Sequence, residues 1–185
     1  MEIALSEPTH LGRGKMADET TVTEPYELNR DKAPAFWEVD ILWLILADAK
    51  QTGGALTMME QICPKNSGPP PHTHAQQESY YILEGQMTVL VGGKTLVATQ
   101  GSFLNVLPNT VHSFRVDTDT ARILNMYVPA GFERLITELG DPAPERVLPP
   151  AGMPMKAKPE DVRRVMQQIG MIWVNEPDTL RQPKQ

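Results

Sequence analysis

Three features of the 185-residue chain predict an all-β sandwich or barrel. From Phe36 onward, short runs rich in Val, Ile, Leu and Thr recur about every eight to twelve residues, separated by Gly, Pro and Asn. Prolines number 17, well above the usual share of roughly 5%, which favours turns and extended loops over long helices. Hydrophobic residues make up 41%, and with the 13 glycines the apolar share reaches the ordinary globular range, enough to bury a core. At about 150 residues per domain, the length suits one domain with appended segments.

Taken in order, residues 1–33 show neither a helical nor a strand period and read as an arm, partly disordered at its start, with His10 solvated. Strands are expected at 41–47, 55–62, 78–83, 87–91, 95–98, 102–107, 112–116 and 122–128, a set that suits a small closed barrel. The 41–47 run is apolar at every position, which predicts burial on both faces. Gly53-Gly54 and Gly92-Gly93 supply the positive φ that tight hairpins need. After Val128 the period changes. Phe132, Leu135, Ile136 and Leu139 fall on one helical face, with Gly140 as a stop. A Pro-rich stretch over 141–159 leads to a second helix at 160–169, whose Val162, Val165, Met166 and Ile169 should pack on the barrel. The expected organisation is therefore an arm (1–33), a barrel (34–130) and a helical, Pro-rich extension (131–185).

Charge and length narrow the function. The net charge is −6 and no Lys/Arg cluster stands ready to neutralise a row of phosphates, so nucleic acid is not an expected partner. The longest apolar run is 41–47, far short of the ~18 residues of a bilayer span. No basic region followed by an apolar stretch opens the chain, so a cytoplasmic location is expected. Cys63 is the single cysteine, which excludes an internal disulfide framework and a Cys-rich zinc site and reads as a small buried hydrophobe.

The informative residues are histidines. His72 and His74 are two apart in an extended segment, so both side chains point to the same side, ~6.6 Å apart along the strand. Glu78 shares their parity if the strand continues, and adds a hard oxygen to two imidazoles. His112 opens a later strand after the turn Leu107-Pro108-Asn109-Thr110-Val111 and can bring a third imidazole across a curved sheet. Three His and one Glu form a metal-ligand set that leaves coordination positions open.

These residues carry a resemblance to the cupin superfamily. Its first motif, G-x5-H-x-H-x3,4-E-x6-G, is matched by His72, His74, Glu78 and Gly85, with Asn66 at the first glycine, a residue that tolerates left-handed φ. The second motif, G-x5-P-x-G-x2-H-x3-N, is matched strictly at Gly101 and His112 only. Leu107 stands at its proline, Asn109 at its turn glycine and Val116 at its final Asn, while Pro108 and Asn109 still suit a tight turn. Within the superfamily the chain is similar to single-domain quercetinase-like cupins. The residues behind this are Ser67-Gly68-Pro69-Pro70-Pro71-His72-Thr73-His74, the start Pro129-Ala130-Gly131-Phe132-Glu133-Arg134 and the Pro-rich extension.

The resemblance implies a double-stranded β-helix, or jelly-roll, and one divalent metal ion per chain held by His72, His74, Glu78 and His112. Iron, manganese, nickel and cobalt suit the ligand set, and zinc is chemically compatible. It further implies that Glu78 takes the proton of a flavonol 3-hydroxyl and that dioxygen cleaves the heterocycle with release of carbon monoxide. A homodimer through the barrel face and N-terminal strand is also implied. Tyr80, Met59, Phe103, Phe114 and Met126 lie on expected strands and are candidates for the wall of a pocket for an aromatic or polyketide-like small molecule. Phe36, Trp37 and Trp43 are candidates for the barrel mouth or an interface. Two alternatives stay open: a non-oxidative metallocupin (isomerase, lyase or cyclase) and a cupin that binds a small ligand without turnover.

Overall fold

The computed structural model describes residues 24–181 apart from 155 and 176, so His10 and most of the expected arm lie outside it. The described strands are β1 (Ala35–Glu38), β2 (Ile41–Ala47), β3 (Thr57–Pro64), β4 (His72–Thr73), β5 (Gln77–Glu84), β6 (Gln86–Val91), β7 (Lys94–Thr99), β8 (Phe103–Val106), β9 (His112–Val116), β10 (Thr120–Val128), β11 (Asp141–Pro142) and β12 (Ile172–Trp173). The helices are α1 (Ala49–Thr52), α2 (Glu133–Leu139) and α3 (Pro159–Ile169). Each of the eight expected strands forms. One sheet runs β11-β1-β2-β3-β10-β5-β8 and the other β12-β4-β9-β6-β7, and every pairing is antiparallel. The result is an all-β jelly-roll with short helices.

Strand alternation places the core. On β10, Ala121, Ile123, Asn125 and Tyr127 are buried and the residues between them are not. Ala121, Ile123 and Tyr127 share a core cluster with Met59 and Cys63 of β3, Tyr80 and Ile82 of β5, and, from the facing sheet, Met87, Val89, Phe114 and Val116. Each large apolar side chain among them, such as Ile123 or Met59, contributes about 1.5–3 kcal/mol when withdrawn from water. β2 is buried on both faces, as its composition predicts. Ile41, Trp43 and Ile45 enter the main core, whereas Leu42 and Leu44 join a second cluster with Leu28, Ala33, Ala143 and Leu148. The outer face of β2 is thus covered by this chain's own segments before and after the barrel. Arg30 fastens the first of these by bonding the carboxylate of buried Glu60, which Arg122 also holds.

Gly92-Gly93 turns β6 into β7 with φ of 53° and 76°. The expected hairpin at Gly53-Gly54 is corrected. β2 and β3 do pair, but α1 intervenes, because Asp48 and Gln51 form a reciprocal capping box and Gly53, at φ 60°, closes the turn of helix. α2 and α3 present the expected apolar faces: Phe132, Ile136, Leu139, Val165, Met166 and Ile169 are buried. Gly140 ends α2 in extended rather than left-handed backbone, and a Cβ there would sit 2.6 Å from the Ile136 carbonyl. No described helix is long and apolar enough to cross a membrane.

Candidate metal centre

His72, His74, Glu78 and His112 converge, with their potential ligand atoms all within 4.8 Å of one another, and all four are buried. The route differs from the expected one. Sequence parity places Glu78 on a continuation of the His72 strand, but β4 ends at Thr73, the chain crosses between sheets, and Glu78 rises from β5 in the opposite sheet. His112 needs no curved approach, because it is the direct partner of His72 across the β4–β9 pair. The two asparagines standing at glycine positions both adopt left-handed backbone, Asn66 at φ 66° and Asn109 at φ 60°. The amide of Asn109 donates to the carbonyl of His74 at 2.8 Å, so the turn that presents His112 also fixes His74.

Each imidazole is oriented by a backbone carbonyl. His72 Nδ1 lies 2.9 Å from Pro70 O, His74 Nδ1 3.0 Å from Gln76 O, and His112 Nδ1 2.8 Å from Thr110 O. A proton on each Nδ1 leaves the Nε2 lone pair facing inward. Glu78 Oε2 lies 3.0 Å from His74 Nε2 and 2.9 Å from His112 Nε2, while Asn125 Nδ2 donates to Oε1 at 2.9 Å. Inward lone pairs around a carboxylate oxygen repel unless a cation lies among them. The donor set therefore fits a divalent metal ion, with nitrogen and oxygen ligands and open positions. Burial above all pushes His72 down to about 3, so its ring is neutral. Burial opposes the charge of Glu78, but its contacts with His112 and His74 outweigh it and hold the carboxylate well below the ordinary value.

The centre opens into a cavity of about 280 Å³. Tyr80, Tyr127 and Phe114 form walls, Phe132, Leu135 and Met166 cover it from the helices, and Glu38, Asp40 and Trp173 stand at its edge. Tyr127 and Phe132 stack with ring centroids 3.9 Å apart, and each also meets His74 edge-on. Of the five expected wall residues, Tyr80 and Phe114 line the cavity. Phe103 does not: it pairs with outward-facing Tyr81 and is 59% exposed. Met126 lies at outward parity between buried Asn125 and Tyr127, and Met59 is fully buried in the core without lining the cavity. Trp43 lines a wall, whereas Trp37 packs in the second cluster and donates from Nε1 to Val147 O at 2.8 Å. Sequence reasoning missed Asn125, Tyr127 and Gln61. The signal for Asn125 and Gln61 was a lone polar residue at inward parity between apolar strand neighbours.

The cupin domain family matches residues 58–127. Quercetin 2,3-dioxygenase of Bacillus subtilis is 33% identical over 139 residues, which are 73% of this chain and 41% of that protein. The chain thus spans about two fifths of that relative's length. KdgF from Halomonas sp. superposes with a TM-score of 0.52 at 16% identity, over 60% of this chain and 98% of that one. The polyketide cyclase RemF from Streptomyces resistomycificus superposes with a TM-score of 0.51 at 18% identity, over 78% of this chain and 94% of that one. At such identities the structural likeness is one of fold.

Proposed function

Because the chain has the cupin fold and resembles the quercetinase-like cupins, we propose that it is a metal-dependent dioxygenase that cleaves a flavonol, a diketone or a related enolisable aromatic. The observation that carries this reading is the convergence of three carbonyl-oriented imidazoles and Glu78 at one end of an aromatic-walled cavity. His72, His74, His112 and Glu78 would hold the metal. Bound there, a divalent ion supplies positive charge that favours ionisation of a substrate hydroxyl. Glu78 Oε2 takes the proton, while the bond from Asn125 to Oε1 keeps the carboxylate turned toward the histidines. Tyr80 and Tyr127, whose phenols burial and then Glu78 push well above their ordinary range, stay protonated beside it. The aromatic walls and the helices exclude water from an enolate held between them.

Oxygen consumption by the metal-loaded protein with quercetin and a panel of diketones tests this. Uptake that depends on both substrate and metal is expected. Glu78→Gln should lower kcat by about 100-fold or more while changing quercetin Kd only a few-fold. Turnover that persists under strict anaerobiosis would replace this reading with a non-oxidative metallocupin, and absence of uptake across the panel would contradict it.

A further inference from the structure

Away from the histidines, the cavity wall carries two side chains whose N–H groups find no acceptor among the described residues. Trp43 Nε1 and Gln61 Nε2 are both buried and, among the described residues, have no hydrogen-bond partner. Gln61 is fully buried and Trp43 is 6% exposed. They are direct neighbours across the β2–β3 pair and both line the cavity. Gln61 Oε1 has a partner, because the Cys63 thiol donates to it at 3.5 Å, and burial keeps that thiol protonated. The amide nitrogen is therefore the end left free. An unpartnered buried donor costs about 1–3 kcal/mol, and folded proteins rarely keep one without a reason. Here two lie side by side on the wall of the same cavity.

Their offset along the strands from Glu78 is readable from strand register. Thr57 on β3 pairs with Tyr127, which in turn pairs with Glu78 on β5, whereas Gln61 pairs with Ile123. Gln61 is thus four residues along the strand from the level of Glu78, about 13 Å at the usual strand rise. We propose that Trp43 and Gln61 form a second recognition subsite, which receives a carbonyl or hydroxyl oxygen at the end of the ligand remote from the histidines. This rests on reading the cavity as the ligand site of the His/Glu centre, and it narrows the substrate class. The ligand is an elongated, largely apolar molecule with an ionisable hydroxyl at one end and an acceptor oxygen at the other. One neutral hydrogen bond to this pair discriminates by roughly threefold to tenfold.

The test uses two bicyclic probes of nearly equal shape, 1-tetralone with a carbonyl and tetralin without one, titrated by ligand-observed NMR against the protein as purified. The wild type should bind 1-tetralone about threefold to tenfold more tightly than tetralin. Trp43→Phe and Gln61→Leu should each reduce that preference, and the double variant should bring it within about twofold of unity. Should Gln61→Leu fail to fold, Trp43→Phe, which keeps a ring in place, decides alone. Absence of a preference in the wild type, or a preference that survives Trp43→Phe and Gln61→Leu, overturns the subsite. Neither probe requires oxygen chemistry, so failure here is distinguishable from failure of the dioxygenase reading, which the oxygen-uptake assay reports.

Discussion

At the cavity edge, Glu38 is half-buried, and burial together with the charge of Asp40 pushes its carboxyl from the ordinary 4.5 up to about 7. Between those two values the folded chain holds a proton that the unfolded chain has released. Stability contributed by this group is therefore complete below about pH 4.5, falls as pH rises to about 7 and is flat above it. Glu38→Gln, neutral throughout, should match the wild type near pH 4.5 and exceed it by about 1–3 kcal/mol at pH 8, read from thermal melts at both pH values. Sequence spacing made the four candidate ligands legible, because His-x-His parity and the turn before His112 are local facts. Asn66 and Asn109 were legible for the same reason, since their tolerance of left-handed φ is a property of the side chain. Phe103 and Met126 were misassigned because facing depends on register, and a one-residue change of parity moves a strand residue from cavity to solvent. Asn125, which holds Glu78, offered only a polar residue at inward parity and no motif that ties it to Glu78. Its role exists only because β10 runs beside β5.

Among the elements, the join between α1, β3 and α2 rests on one residue. Glu133, at the first position of α2, is buried, and its carboxylate accepts from the Ala49 amide at 3.0 Å, the Gly131 amide at 2.8 Å and the Thr57 hydroxyl. α2 supplies the Phe132 and Leu135 cover of the cavity, so this carboxylate fixes the cover to the sheet. Glu133→Ala removes the acceptor of the Ala49 amide and of the Thr57 hydroxyl, while the Gly131 amide keeps the Thr57 oxygen at 3.1 Å, and should destabilise the protein by about 1–3 kcal/mol in chemical denaturation. A loss below about 0.5 kcal/mol would show that the join does not depend on it. The long strands were legible from alternation and from Gly and Pro punctuation. The two-residue strands β4, β11 and β12 were not, since so short a run has no period and exists only through its partner. α1 was misread as a hairpin because Gly53-Gly54 is a strong turn signal. The contrary signal, Asp48 followed three residues later by Gln51, was also present.

In the whole molecule, the candidate metal centre brings side chains from two sheets to one point. His72 and His112 stand on neighbouring strands of one sheet, Glu78 stands on the other, and His74 lies in the crossover between them. Composition predicted an all-β class, yet this convergence could not be derived from any single strand. It follows from the jelly-roll connection, which the motif resemblance supplied. The cavity was the least legible feature. Its cover comes from α2, α3 and Trp173 of the extension; the helices show a period, but the Pro-rich segment that carries α3 and Trp173 back over the barrel shows neither strand nor helix period. The proposed chemistry requires a metal at the His/Glu centre, so the decisive measurement is elemental analysis by inductively coupled plasma mass spectrometry. It would compare the wild type with His74→Ala and His112→Ala after growth in balanced metals. Close to one equivalent of iron, manganese, nickel or cobalt per wild-type chain is expected, with most of it lost in both variants. No bound metal after reconstitution, or variants that retain the wild-type content, would contradict it.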